Sequence, residues 1–334
     1  MQSKQRIPVL VCIDVEPEDR KLAQQAPDNW LGFEKSFEYF NALRPRLTRI
    51  TDSPVHFSWF VRMDPQIAQT YGSAEWVVSQ YQNLFKQLEE AGDEIGLHSH
   101  AWRWDTENQD WFVDHGDPDW VDHCISSACD AFHNSFSRGC KSFRFGDHWM
   151  SERGLDQLEK LGVKFDLTLE PGQAENYLLA NERFTGSFPD CRMMPQVPYQ
   201  PHVNNFTKPA FIRKRSLWLI PVSAEHPSTS GNGDETHKGM PYVPLNLAFD
   251  RSVVESIVER LLIRLSDPLL VIVARTDVAS DPSQRANLEK NIDYLLNHPL
   301  AAQFSFKTPA EAINSLGLRS MKCLKQYFVK SNET

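Results

Sequence analysis

Two stretches of the chain decide the fold prediction: Pro8-Val-Leu-Val-Cys-Ile-Asp-Val-Glu16 and Glu94-Ile-Gly-Leu-His-Ser-His100. Each is an apolar run typical of a buried strand, and each ends in two polar residues separated by one position. These pairs are Asp14 with Glu16, and His98 with His100. Side chains at alternate strand positions point to the same side, so each pair presents two groups to one place. Carboxylates and imidazoles at neighbouring strand ends suit a divalent metal beside a general base.

The remainder of the 334-residue chain alternates strand-like and helix-like segments. Further strands are predicted at 55–61, 142–145, 165–169, 217–222, 269–273 and 304–306. Helix starts carry capping signals, including Asp281-Pro282 and Thr308-Pro-Ala-Glu311. This order predicts the α/β class, with a parallel sheet that is open or closed into a barrel. In a barrel, the polar strand ends would share one face, and Arg144, Asp166 and Asp277 would lie there too.

Charge and composition narrow the function classes. The formal net charge of −9 argues against a nucleic-acid partner or general binding to anionic membranes. No apolar run approaches the roughly 20 residues of a membrane span, and the first strand starts too early for a signal peptide. The six cysteines show no Cys-x-x-Cys pair, so reduced thiols and a cytoplasmic location are expected.

One domain is expected over residues 5–318, followed by a basic C-terminal tail over 319–334. The polar, aromatic segment after His100 is predicted as a long loop. Residues 173–216 lose all periodicity, so they predict a long irregular excursion from the barrel.

Five segments, taken in order, resemble the polysaccharide deacetylase (NodB-homology) family. They are Ile13-Asp-Val-Glu16, Gly92-Asp-Glu-Ile-Gly-Leu-His-Ser-His-Ala-Trp102, Phe143-Arg-Phe-Gly146, Phe165-Asp-Leu-Thr-Leu-Glu-Pro-Gly172 and Phe304-Ser-Phe-Lys-Thr-Pro-Ala-Glu-Ala312. The resemblance spans roughly residues 7–317 and is strongest for an intracellular branch associated with lipopolysaccharide or surface-glycan biosynthesis. It implies a distorted (β/α) barrel and metal-dependent hydrolysis of an N-acyl group on a carbohydrate.

The resemblance also implies roles for particular residues. Asp14 matches the general base, and Arg144 matches the arginine that orients it. Glu16 and His98 match metal ligands. His100 is expected to replace a second metal histidine, because the usual position holds Trp102. Zinc is the expected ion, since mixed nitrogen and oxygen ligands suit it.

The chain departs from the family pattern after the strand at 269–273. The late histidine that serves as general acid is replaced by Ala-Arg-Thr-Asp277. Arg275 is a very poor proton donor, so His148 or His100 is expected to supply the proton. Substrate contacts are predicted for four residues near the strand ends: Trp102, Trp104, Arg275 and Asp277.

Two alternatives remain open from the residues. A tryptophan at the position of Trp102 is also found in allantoinase-like members of the family, and this resemblance implies a metal-free amidohydrolase as the first alternative. The missing late histidine equally allows a glycan-binding barrel without catalysis. From the sequence alone, His100 fits the role of an ordinary loop histidine as well as that of a metal ligand. Asp166 is either a buried core acid or part of the hydrogen-bond network around the base.

Overall fold

The structure, a computed structural model, describes residues 6–22, 30–175, 183–225, 242–265 and 267–316. Within these ranges the strands are β1 (Ile7–Val15), β2 (Ser58–Arg62), β3 (Glu94–Ser99), β4 (Trp102–Asp105), β5 (Asp110–Asp114), β6 (Ser142–Phe145), β7 (Phe165–Asp166), β8 (Phe184–Thr185), β9 (Pro201–His202), β10 (Asn205–Pro209), β11 (Trp218–Leu219), β12 (Ala224–Glu225), β13 (Val243–Pro244), β14 (Leu270–Arg275) and β15 (Phe304–Phe306).

The α-helices in the same ranges lie between these strands and after the last one. They are α1 (Leu31–Thr51), α2 (Pro65–Tyr71), α3 (Trp76–Gln80), α4 (Gln82–Glu90), α5 (Pro118–Phe136), α6 (Glu152–Lys160), α7 (Arg251–Arg264), α8 (Pro282–Asn297) and α9 (Pro309–Leu316). Several begin at side-chain caps: the Ser151, Asp250 and Asp281 side chains accept hydrogen bonds from the first turns of α6, α7 and α8, and Asp281 was a predicted cap. None of the helices in the described ranges combines the length and apolar character that crossing a membrane requires.

One curved parallel sheet forms the centre of the protein. Its strands follow the order β11-β7-β6-β3-β2-β1-β14, and β15 pairs with the first residues of β1. Every pairing in this sheet is parallel. Helices connect most of the successive strands, as parallel pairing requires. The predicted (β/α) barrel is confirmed.

The two ends of this sheet are linked by the backbone around Ser223. The Val222 N–H donates to the Leu169 carbonyl just beyond β7. The Ser223 N–H donates to the Val271 carbonyl of β14 at 3.1 Å, and the Ser223 hydroxyl accepts from the Val271 N–H at 2.9 Å. These bonds draw the sheet toward closure, although β11 and β14 do not pair as strands in the described chain.

Strand β1 lies in the interior, and all nine of its residues are buried. Its odd-numbered side chains, such as Val9 and Val11, join the large core beneath the helices. Leu10 and Cys12 point the other way and join the smaller cluster inside the barrel. This alternation assigns each position of β1 to the helix layer or to the barrel interior.

The structure also differs from the sequence-based expectations. The pattern did not predict α1, the longest helix in the described ranges, in which Pro45 interrupts an amphipathic pattern. The segment after His100 is an antiparallel hairpin of β4 and β5 rather than a loop, because its buried Trp102, Trp111 and Val113 pack together. Part of 173–216 is ordered as β8, β9 and β10. The proposed tail, 319–334, lies outside the described residues.

Asp166 is a buried acid that supports the backbone between β6 and β7. Its carboxylate accepts from the Thr168 hydroxyl at 2.7 Å, and that hydroxyl accepts from the Phe145 N–H at 2.7 Å. Burial raises the pKa of Asp166 to about 7, against the lowering effect of its bonds to Thr168. The folded protein therefore holds a proton at this site that the unfolded chain releases at lower pH.

We expect Asp166→Asn to reduce the pH dependence of stability. Because the folded pKa is raised, the contribution of Asp166 is full below its ordinary pKa and is lost as pH rises through about 7. The free energy of unfolding should fall from pH 5 to pH 8 in the parent protein, with Asp166 contributing up to about 2 kcal/mol. Urea unfolding of both proteins measures this. The exposed Asp293→Asn is the control, and equal slopes in all three proteins would contradict the assignment.

Candidate metal centre

Strand alternation brings the polar residues of several strands into the barrel interior. Asp14 near the end of β1 and Glu16 directly after the strand continue the inward series of Leu10 and Cys12. The register aligns His98 of β3 with Arg62 of β2 on one side and with Arg144 of β6 on the other. It also aligns Asp14 with Arg275 of β14. Because these aligned side chains point to the same side of the sheet, they lie together at the carboxyl ends of adjacent strands, as predicted.

Glu16, His98 and His100 form a group whose ligand atoms all lie within 4.8 Å of one another. The His98 Nε2 and His100 Nε2 atoms are 3.0 Å apart. The Glu16 carboxylate lies 3.6 Å from His98 Nε2 and 3.4 Å from His100 Nε2. All three side chains are buried. The structure therefore brings together the three residues predicted as metal ligands.

The other nitrogen of each imidazole is held by an acceptor. His98 Nδ1 is 2.9 Å from the Arg144 carbonyl oxygen, which can only accept, so Nδ1 carries a proton. His100 Nδ1 is 3.0 Å from the Asp147 carboxylate. Both Nε2 atoms are thereby left to face each other. Metal-binding histidines commonly use one nitrogen for the ion and donate from the other in this way.

The atoms of this group fit a divalent cation. Two imidazole lone pairs 3.0 Å apart repel each other unless a proton or a cation lies between them. One Glu16 oxygen, Oε2, is buried without a hydrogen-bond partner, which is costly unless a ligand satisfies it. Two imidazoles and one carboxylate are also the donor set of open zinc sites.

Charge stabilises the ionised form of Glu16. Burial alone would raise its pKa, but the Arg275 guanidinium and the two imidazoles lower it well below its usual range. Burial disfavours the charged form of His100 too, and this effect alone would lower its pKa. The Asp147 carboxylate outweighs burial and raises the pKa of His100 above its ordinary value. A proton on His100 can therefore occupy the gap between the two Nε2 atoms when no cation does.

Asp14 lies beside this group and is held by Arg144. Arg144 Nε donates to both Asp14 oxygens, at 2.8 and 3.0 Å, and its Nη1 donates to the Leu167 carbonyl at 2.6 Å. Both side chains are almost fully buried. Arg144 is therefore fixed at both ends, and it sets the orientation of the Asp14 carboxylate.

Arg62, the last residue of β2, and Asp64, two positions later, support the group, although the sequence pattern did not identify them. Arg62 is fully buried, its Nε donates to Asp64 at 2.7 Å, and its Nη1 lies 3.7 Å from Glu16 Oε2 without a hydrogen-bond partner. Asp64 also accepts from the His100 N–H at 3.1 Å. The alternate spacing that identified the acidic and histidine pairs is present here too, so it was a signal for this pair.

Asp147 was also missed, although it follows Phe143-Arg-Phe-Gly146 directly. It accepts from His100 and pairs with Arg20, and these two cations lower its pKa well below its usual range despite burial. Gly146 gives His100 its space, because a Cβ there would lie 2.1 Å from His100 Nδ1. Asp147 and His148 both have positive φ, 59° and 56°, which marks a strained turn at the site.

The remaining predicted site residues lie at the rim of this centre. His148 is 31 % exposed and its Nδ1 lies 2.8 Å from Glu170 Oε1. Arg275 is 25 % exposed, and its Nε lies 3.5 Å from Glu16 Oε1. Its guanidinium donates two hydrogen bonds to the Asp277 carboxylate, at 2.6 and 3.1 Å. Arg275 therefore lies between two carboxylates and balances the charge of Glu16, while Asp277 holds its guanidinium in place. The predicted contact of Arg275 and Asp277 with substrate remains a prediction.

The two tryptophans differ in access. Trp102 is fully buried, packs with Trp111 and Val113, and presents no open ring face. This arrangement does not favour the predicted contact of Trp102 with substrate. Trp104 is partly exposed and meets Trp111 edge to face, with ring centroids 5.2 Å apart.

No family model matches this chain, and no curated protein matches it. Among solved structures, a protein described as a glycoside hydrolase/deacetylase from Parabacteroides distasonis superposes with a TM-score of 0.55, at 13 % identity over 93 % of this chain and 71 % of its own. A protein described as a polysaccharide deacetylase from Mycobacterium smegmatis superposes with a TM-score of 0.50, at 15 % identity over 96 % of this chain and 93 % of its own. At these identities the likeness concerns architecture, and it confirms that the chain has a (β/α) barrel of the polysaccharide-deacetylase type.

Proposed function

We propose that this chain is a metal-dependent hydrolase that removes an N-acyl group from a carbohydrate. The observation that carries the proposal is the convergence of Glu16, His98 and His100 beside the Asp14–Arg144 pair. A general base next to an open metal site is a combination that supports amide hydrolysis. A bound zinc ion would supply Lewis-acid polarisation of the amide carbonyl there.

In this proposal Asp14 accepts the proton of the attacking water. Arg144 donates to both Asp14 oxygens, so it fixes the orientation of the carboxylate. Arg144 is itself held by the Leu167 carbonyl, which limits its freedom to follow Asp14. The pair therefore presents a base whose orientation is set before substrate arrives.

His148 is the proposed proton donor to the leaving amine. His100 is less suited, because its two nitrogens face Asp147 and His98. His148 is partly exposed, and Glu170 engages its Nδ1 at 2.8 Å. A carboxylate next to one imidazole nitrogen holds the ring in one orientation, which a general acid needs.

A carbohydrate substrate is supported by the names of proteins that share the fold, which describe enzymes acting on polysaccharides and glycosides. Partly exposed Trp104 offers a ring of the type that packs on sugars. The five described cysteines are all free thiols, which supports the proposed cytoplasmic location.

Zinc content and activity test the proposal directly. We expect stoichiometric zinc by elemental analysis and release of acetate from N-acetylated oligosaccharides. Glu16→Ala and His98→Ala should each lose the zinc. Activity that survives complete removal of metal by a chelator would instead support a metal-free amidohydrolase. Oligosaccharide binding without acetate release would support the non-catalytic glycan-binding barrel.

Gly146→Ala should weaken zinc binding at least about tenfold, because the added Cβ would lie 2.1 Å from His100 Nδ1 and displace that ring. Gly139→Ala is the matched control, since a Cβ at that position meets nothing within 4 Å. Zinc dissociation constants from a competing chromophoric chelator measure the difference. Equal affinities in the two variants would exclude His100 from the ligand set.

Asp14→Asn should lower kcat by roughly 100- to 10,000-fold, the usual range for losing a positioned general base. Zinc content should stay unchanged, because Asp14 is not a proposed ligand. Steady-state kinetics with elemental analysis separate these two effects. A variant that kept full kcat would show that Asp14 is not the base.

A further inference from the structure

Arg62 is a buried cation that lies beside the candidate metal ligands. It is the last residue of β2, and the register places it next to His98 of β3. Its side chain is completely shut off from solvent, and its Nη1 atom lies 3.7 Å from Oε2 of Glu16. Burial of a guanidinium is costly unless opposite charge compensates it. A positive group at this depth therefore belongs to the charge balance of the site.

Two of the three guanidinium nitrogens of Arg62 are fixed by hydrogen bonds. Nε donates to the Asp64 carboxylate at 2.7 Å, and Nη2 donates to the Gln66 side-chain oxygen. Both acceptor residues are fully buried. Asp64 also accepts from the backbone N–H of His100 at 3.1 Å. The guanidinium is therefore held in place, and Nη1 is the nitrogen that faces Glu16.

The Glu16 carboxylate has similar surroundings at both of its oxygens. Oε2 faces Nη1 of Arg62 at 3.7 Å and Nε2 of His100 at 3.4 Å. Oε1 faces Nε of Arg275 at 3.5 Å and Nε2 of His98 at 3.6 Å. Each oxygen therefore has one guanidinium and one candidate metal ligand near it.

The contact between Arg62 and Glu16 is longer than a hydrogen bond. Nη1 of Arg62 and Oε2 of Glu16 are both buried, and neither atom has a hydrogen-bond partner in the described chain. At 3.7 Å the two groups still attract each other by charge, because little water screens them. This attraction compensates the carboxylate without using the lone pairs of Oε2. That oxygen therefore remains available to a metal ion.

We propose that Arg62 is a built-in counter-cation of the metal centre, which stabilises Glu16 when no ion is bound and opposes the ion when one binds. The inference rests on the metal centre of the proposed function. An ion on Glu16 would share that carboxylate with a fixed positive charge, and like charges repel strongly in a low dielectric. Zinc therefore binds less tightly than the donor set alone would allow, and the site exchanges its ion reversibly.

The zinc affinity of an uncharged variant separates this role from a structural one. Arg62→Met removes the charge and keeps most of the side-chain length, so it leaves Glu16 and Asp64 with less positive charge nearby. We expect it to bind zinc at least about tenfold more tightly, the scale of outer-shell effects on metal affinity. A residue that only positioned Glu16 would give weaker binding in the same variant. Zinc dissociation constants from a competing chromophoric chelator measure which sign holds.

Two further variants complete the comparison. Arg62→Lys keeps the charge, so its zinc affinity should stay close to that of the parent. Arg46→Met is the matched control and should not change zinc affinity, because Arg46 pairs with Asp293 at the surface and both are exposed. The melting temperature of metal-free Arg62→Met should fall below that of metal-free Arg62→Lys, and zinc should narrow the difference.

The parent chain supplies a test that does not depend on a variant folding. Dialysis against a chelator should leave a folded protein that takes up zinc again, because Arg62 and Arg275 compensate Glu16 in the metal-free form. Unfolding on metal removal would overturn the inference, and so would equal or weaker zinc affinity in Arg62→Met than in the parent. In both cases the zinc content of the parent still supports the proposed metal centre. A parent that binds no zinc would instead overturn the proposed function and this inference together.

Discussion

The site depends on one buried charge, the carboxylate of Glu16. A carboxylate taken out of water is costly unless opposite charge compensates it, and here the compensation comes from several strands. Arg275 approaches one oxygen, Arg62 lies 3.7 Å from the other, and the two imidazoles face it from β3 and beyond. The backbone of Glu16 is also fixed, because its N–H donates to the Thr276 hydroxyl, which in turn donates to the Glu16 carbonyl. Removal of any one of these groups leaves the others with an unbalanced charge in the interior.

The charged residues around the candidate metal ligands form chains of contacts, and each chain ends on one of these ligands. Asp64 connects the Arg62 guanidinium to the backbone of His100, and Asp147 connects Arg20 to the His100 ring. Arg144 joins the proposed base to the candidate ligands, since its side chain holds Asp14 while its carbonyl accepts from His98. Base and candidate metal ligands therefore share one residue, so their relative position is set by the β3–β6 pairing. The metal-free amidohydrolase and the glycan-binding barrel, the two alternatives from the sequence, would differ from the proposed hydrolase in chemistry and not in this arrangement of residues.

The barrel and the group of Glu16, His98 and His100 are predictable from the sequence, because both follow from patterns within single segments of the chain. Alternation along β1 and β3 identified Glu16, His98 and His100, and capping residues marked several helix starts. The groups it missed depend on register between strands that are distant in the chain. Arg62 is significant only because β2 pairs with β3 at His98, and Asp147 only because the turn after β6 approaches His100. The β4–β5 hairpin was taken for a loop because its tryptophans alternate with charged residues that face outward.

The central position of β1 has a consequence for the order in which the protein forms. Its neighbours β14 and β15 follow it by more than half of the chain, and the bond that fixes Glu16 to Thr276 spans 260 positions. During synthesis β1 and its other neighbour, β2, emerge well before β14 and β15. Until then a nine-residue apolar segment lacks two of its native neighbours and is open to non-native pairing. Folding should therefore be slow and dependent on chaperones, and the metal centre should be among the last features to assemble.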